Sequence, residues 1–183
     1  MTDLVPIPNL PAVDEGRRTF LGVPIIGEKS SYSESRSPQW DLATFQRMIQ
    51  ALIDEPFFLG WGWTQYTPYF NDGEPCYFSI HGEPWIRTVG QEDCEPEDWY
   101  DHEMSVSNHA VLGELVYPPG GRWVRGVEPT YQGEHEALFK KAWTFSTALT
   151  GGHFNDVVLD LFGDHAEISM SRDKIVVDSY SHD

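Results

Sequence analysis

The side chains best suited to chemistry or recognition lie in one aromatic stretch and one acidic stretch. Between Trp61 and Trp85 the chain carries Trp61, Trp63, Tyr66, Tyr69, Phe70, Tyr77, Phe78 and Trp85, interleaved with Gln65, Asn71, Asp72 and Glu74. Large rings set among hydrogen-bonding groups suit recognition of a protein or a small ligand, because the rings supply apolar area and the polar groups fix orientation. On an extended 61–67, Trp61, Trp63 and Gln65 share one face and Tyr66 points to the other. The same rings are good core material, and Asn71-Asp72-Gly73 is a turn signal in either case. Trp61, Trp63, Gln65, Tyr66, Tyr69, Asn71 and Asp72 are therefore the candidate binding residues, with a structural core as the competing role.

The acidic stretch is Glu92, Asp93, Glu95, Glu97, Asp98, Asp101 and Glu103, with no Lys or Arg among them. Such a run is either a solvated face or a docking site for a basic protein. Glu95, Glu97 and Asp98 are its candidate binding residues.

Other chemistries lack their patterns. The seven histidines include His102 and His109, seven residues apart, and His153 and His165 near Asp156 and Asp164. None of these has the spacing of a recognised zinc site. No G-x-S-x-G, phosphate loop or G-x-G-x-x-G occurs. Cys76 lies in an expected strand, where a thiol acts as a small apolar group. No catalytic residue, metal ligand or cofactor is assigned.

Composition narrows the partners. Twenty-nine acids against 12 bases give a net charge of −17. A chain so charged repels phosphate backbones and anionic membranes, leaving a basic protein surface, or a cation, as the natural partner by charge. Two cysteines build no disulfide framework, the start has no basic leader with an apolar run, and no apolar stretch is long enough to span a bilayer. A cytoplasmic location, host or bacterial, is the expectation.

The elements that must position these groups are legible in part. Residues 1–37, rich in Pro, Gly and Ser, are expected to be extended, with an edge strand from Leu21 to Ile26. Ser37 as cap and Pro38 as first residue begin a helix whose buried stripe is Leu42, Phe45, Ile49 and Leu52. The aromatic stretch predicts a hairpin, 61–67 returning over 76–80, with a third strand at 85–89. A second helix runs from about Gly133 to Leu149, with Leu138, Ala142, Phe145 and Leu149 on one face. Alternation at Val157, Leu159 and Leu161, then at Ala166, Ile168 and Met170, then Ile175 to Tyr180, predicts a three-stranded meander. The expected fold is α+β in one domain over 1–183: an antiparallel sheet, ending in that meander, packed on two main helices.

Two blocks resemble a known family. The run WTQYTPYFNDGEPCYFSI at 63–80 and the tail FGDHAEISMSRDKIVVDSYSHD at 162–183 resemble a family of uncharacterised bacteriophage and bacterial proteins. The resemblance implies a small accessory protein of phage type and brings no catalytic residue. With the charge, it makes a non-enzymatic interaction protein the leading expectation, one that binds and modulates or inhibits a more basic protein. A small-molecule or nucleotide-binding protein, or a hydrolase, using the aromatic hairpin 61–80 is the second reading. A structural phage component is the third.

Overall fold

The computed structural model describes residues 19–26, 37–68, 76–92, 104–109, 111–117 and 130–179. The fold is α+β. A six-stranded sheet is built from β1 (Thr19–Phe20), β2 (Val23–Ile26), β3 (Phe58–Tyr66), β4 (Ser79–Thr88), β8 (Ala166–Ser171) and β9 (Ile175–Ser179). Its strand order is β1-β2-β9-β8-β3-β4, antiparallel except where β2 runs parallel to β9. A small sheet joins β5 (Asn108–His109), β6 (Gly113–Val116) and β7 (Thr130–Gln132). Helices α1 (Leu42–Ile53), α2 (Glu136–Thr150) and α3 (Asn155–Phe162) complete the described elements.

Leu21 and Gly22 therefore form the β1–β2 turn, Val23–Ile26 are β2, and β2 lies inside the sheet rather than at its edge. The extended 1–18 expected from sequence lies outside the described residues.

Helix α1 begins four residues later than Ser37-Pro38 predicts. Asp41 is the cap, its carboxylate accepting the Thr44 N–H at 2.8 Å. The Thr44 hydroxyl, and then its N–H, hold that carboxyl below the usual carboxylate range. Ser37 is used elsewhere: its hydroxyl donates to Gly151 O at 2.8 Å, while Trp40 N–H donates to His153 O at 2.7 Å. Gln39 donates to Gly152 O and accepts from Asp156 N–H. Residues 37–41 thus strap the α2–α3 junction, and helix geometry starts only once that strap is complete. Phe45, Ile49 and Leu52 are fully buried as their spacing requires, but Leu42 is 43% exposed, because the first turn projects past the core.

Helix α2 matches its predicted stripe, with Leu138, Ala142, Phe145 and Leu149 buried. The segment after it does not. Val157, Leu159 and Leu161 lie on α3, not on a strand, and the C-terminal meander is a two-stranded hairpin, β8–β9. Phe154, Val158 and Phe162 are buried at four-residue spacing. That stripe outweighs the alternation, whose residues pack only at the margin of the core.

The β3–β4 hairpin is one long pairing. The expected strand at 85–89 is the second half of β4. Thr64, Gln65 and Tyr66 pair with His81, Ile80 and Ser79, and past a register shift Gly62 pairs with Trp85 and Trp61 with Ile86. The shift falls where Gly82 takes a left-handed φ of 72° and Pro84 removes a ladder donor.

The three helices cover one face of this sheet. Trp61 packs on Phe145 with ring centres 5.2 Å apart, and Trp63 meets Phe162 at 5.5 Å and Phe45 at 6.5 Å. Gly62, Thr64 and Tyr66 point to the opposite face. There the Trp85 indole lies across Gly62, so close that an added Cβ would sit 2.5 Å from its Cε2.

Candidate functional site

The aromatic hairpin divides its residues between two tasks. Trp61, Trp63 and Gln65 are not surface groups: all three are almost wholly buried. The polar atoms of Trp63 and Gln65 are bonded within the core. Trp63 Nε1–H donates to Gln65 Oε1 at 2.8 Å. Gln65 Nε2 donates to Val158 O at 3.3 Å and to Gly163 O, so its amide staples β3 to the middle and to the C-terminal end of α3. The expectation that Trp61, Trp63 and Gln65 serve recognition is corrected to a core role. Their shared strand face is the face that meets the helices, and rings there remove more apolar surface from water than anything else the hairpin offers.

Tyr66, on the other face, is half-buried and closes a cluster at the end of the sheet where β3 stops and β4 and β8 start. It stacks on His81 with ring centres 3.5 Å apart and planes 16° from parallel; His165 lies 6.1 Å away, tilted 36°. Asp164 is nearly buried and accepts two backbone N–H groups, from Thr67 at 2.7 Å and from His165 at 2.8 Å. It ties the exit of β3 to the entrance of β8. His165 takes a left-handed φ of 52°, a conformation uncommon outside glycine in which Asn, Asp and His are the enriched side chains.

Ser79 and His81 invite a nucleophile–base reading, since Oγ and Nε2 are 2.9 Å apart. The tautomer decides otherwise. The same Nε2 lies 3.1 Å from Tyr66 O, which only accepts. Nε2 must then carry the proton, assigned from this network, and Ser79 Oγ accepts from it. In that tautomer His81 donates toward Tyr66 O and Ser79 Oγ and helps hold the strand pair together. The cluster presents a stacked ring pair, Tyr66 on His81, at this end of the sheet.

The remaining candidates fall elsewhere. Tyr69, Asn71, Asp72, Glu95, Glu97 and Asp98 lie outside the described residues. The ends of the acidic run are defined: Glu92 follows β4, and Met104 packs on Trp85. Glu92 accepts the Gly90 N–H at 3.0 Å, which holds its carboxyl below the usual range. Ser107 donates both its N–H and its hydroxyl to Glu83, and Ser105 bridges to Trp85, so the chain returns along β4.

The grouping of His153 and Asp156 with Asp164 and His165 does not hold in space. His153 stacks on Trp40 at 4.6 Å beside the start of α3, whereas Asp164 and His165 follow its end. His109 has a structural role. It is buried, its Nε2 bonding Ile86 O at 2.9 Å and its Nδ1 accepting from Val111 and Leu112 N–H. Burial pushes its pKa down, opposed in part by the bond to Ile86. Cys76 precedes β4 rather than lying within it. Among the described residues no three His, Cys, Asp or Glu side chains are grouped to hold a metal, and no helix is long and apolar enough to cross a membrane.

Sequence reasoning missed that Tyr66, Ser79 and His81 meet. The signal was present: a hairpin centred on Asp72-Gly73 pairs Tyr66 with Ser79 and Thr64 with His81, as the structure does.

No family, curated protein or solved structure matches the chain.

Proposed function

We propose that this is a non-enzymatic interaction protein, of the phage accessory kind that the resemblance of residues 63–80 and 162–183 implies, which docks on a more basic protein and modulates or inhibits it. One observation carries the proposal: 29 acids face 12 bases, so at least 17 carboxylates have no cation of their own chain. Several of the described bases are already engaged internally. Lys140 pairs with Glu136, Lys141 with Glu55, and Arg172 donates to Glu55 O. The resulting negative field favours encounter with a basic surface, and the acidic run from Glu92 to Glu103 is its densest part.

The test is capture of a partner from bacterial lysate, followed by association kinetics. Raising salt, or reversing Glu95, Glu97 and Asp98 to Lys, is expected to slow association by about tenfold or more with little change in dissociation. An association rate insensitive to both returns the run to a solubility role.

The stack of Tyr66 on His81 favours a second reading, a binding platform for a small planar molecule such as a nucleotide. Tyr66→Ala separates the two. A loss of ligand binding with partner binding unchanged supports the platform, and partner binding unchanged with no ligand bound even by the wild type supports the charge-led dock.

A further inference from the structure

Strand β4 is the last strand of the six-stranded sheet, and its outer edge is covered by the residues that lead into β5 and β6. Ser105 bridges to Trp85, Val106 N–H donates to Pro84 O at 3.4 Å, and Ser107 donates its N–H and hydroxyl to Glu83. His109, only 3% exposed, then reaches across to Ile86 O at 2.9 Å. Apolar anchors lie on either side of it. Met104 packs on Trp85, and Val106 and Leu112 are wholly buried.

The partners of His109 dictate where its proton sits. Ile86 O only accepts, so Nε2 carries the proton. Nδ1 accepts two backbone N–H groups, from Val111 at 3.1 Å and from Leu112 at 3.0 Å. Backbone N–H groups only donate, so Nδ1 is bare, an assignment made from this network. A second proton has one place to go, and that is Nδ1. There it faces two donors, strands both, and puts a charge in a site closed to water. Among the described side chains no carboxylate offsets that charge: burial pushes the pKa of His109 down, and only the bond to Ile86 O opposes it. On β4, Glu83 is engaged by Ser107, and the Arg87 charge acts on Glu92. On β7, Tyr131 gives its hydroxyl to Leu112 O. Strand β6 contributes Glu114, opposite Asn108 in the ladder.

We propose that His109 is an acid-operated latch: a proton gained at Nδ1 breaks its bonds to Val111 and Leu112, and residues 104–113 open off the edge of β4 as one local unit. Opening frees Pro84 O and Ile86 O on the strand edge and uncovers Trp85 beneath Met104. The direction with pH follows from linkage. The open form titrates near the ordinary histidine value of 6.5, and the closed form below it. The open form therefore binds more protons between those two values, and the opening equilibrium rises by about tenfold for each pH unit across that window. Above it the latch stays shut. The window lies above the ordinary carboxylate range of about 4, which separates the latch from acid titration at large. Met104 also directly follows the acidic run in sequence, so the same opening releases one end of that run, but the latch does not depend on the docking role proposed for it.

The experiment is amide hydrogen exchange of the intact protein, followed by NMR from about pH 7.5 to about pH 5, with rates corrected for their intrinsic pH dependence. Protection at Val111 and Leu112 is expected to be level above about pH 6.5 and to fall by about tenfold per unit below it. Phe145 in α2 and Ile168 in β8 are expected to keep theirs. The imidazole nitrogen spectrum is expected to show His109 protonated at Nε2 alone at neutral pH. His109→Gln removes the titrating site and is expected to abolish the fall; a fall that persists in this variant overturns the proposal. If His109→Gln does not fold, the wild-type exchange profile and imidazole spectrum decide alone. A parallel loss of protection at Val111, Leu112, Phe145 and Ile168 overturns the latch, because the transition is then global unfolding. Level protection across the whole range, or a proton on Nδ1 at neutral pH, overturns it as well.

Discussion

Gln65 is the position at which the core assignment of the aromatic hairpin is most exposed to test. It is wholly buried, and its amide both accepts from Trp63 Nε1–H and donates to Val158 O and Gly163 O. Gln65→Leu keeps the approximate shape and removes every one of these bonds. It strands the Trp63 N–H and the Gly163 carbonyl in a site closed to water. Each stranded buried group costs about 1–3 kcal/mol, and the apolar replacement returns about 1–2 kcal/mol through burial of its methyl groups. At the middle of both ranges the two stranded groups cost about 4 kcal/mol and the burial returns about 1.5 kcal/mol, an expected net loss of about 2.5 kcal/mol, or roughly 5–10 °C of melting temperature for a chain of this size. Gln65→Glu sharpens the test, because a carboxylate there faces two carbonyl oxygens and is tolerated only when protonated. Its folded pKa is raised, so the variant's stability relative to wild type is greatest below the unfolded value of about 4.3 and is lost as pH rises from there through the raised folded value. Urea and thermal melts monitored by near-ultraviolet circular dichroism, which reports the Trp63 environment, give both quantities. A Gln65→Leu variant within about 0.5 kcal/mol of wild type, or a Gln65→Glu variant with no pH trend, refutes the buried staple and reopens β3 as a recognition strand.

Two further outcomes are expected. Phe45→Ala or Phe145→Ala, each removing a fully buried ring from a contact with the other at 5.5 Å, should cost about 3–5 kcal/mol, and a melt like wild type for either would show the helix facing to be wrong. The pKa of His109 is lowered from 6.5 in the fold, so below that value the unfolded chain binds more protons and stability falls until the folded pKa is reached. His109→Gln should flatten the change in stability between about pH 7 and about pH 5, and an identical slope in both proteins would remove His109 as its source.

Much of the frame was legible locally. The stripes Phe45, Ile49, Leu52 and Leu138, Ala142, Phe145, Leu149 repeat at the period of a helix within one segment, so their burial needed no knowledge of the partner surface. The Asn71-Asp72-Gly73 signal likewise contained the register that brings Tyr66 to Ser79. The net charge is a property of composition alone.

What only tertiary structure decided has a common cause: each point depends on which of two locally equivalent surfaces meets a distant part of the chain. Strand β3 carries rings on both faces, and its alternation could not say which was inner until Phe45, Phe145 and Phe162 packed on Trp61 and Trp63. Residues 154–162 hold both an alternating and a four-residue apolar pattern, and the contact of Phe162 with Trp63 selected the helix. The cap of α1 moved from Ser37 to Asp41 because Ser37 found the Gly151 carbonyl, 114 residues away in sequence. Local periodicity fixes which side chains share a face, and long-range burial, with its larger free energy per residue, fixes which face is inside.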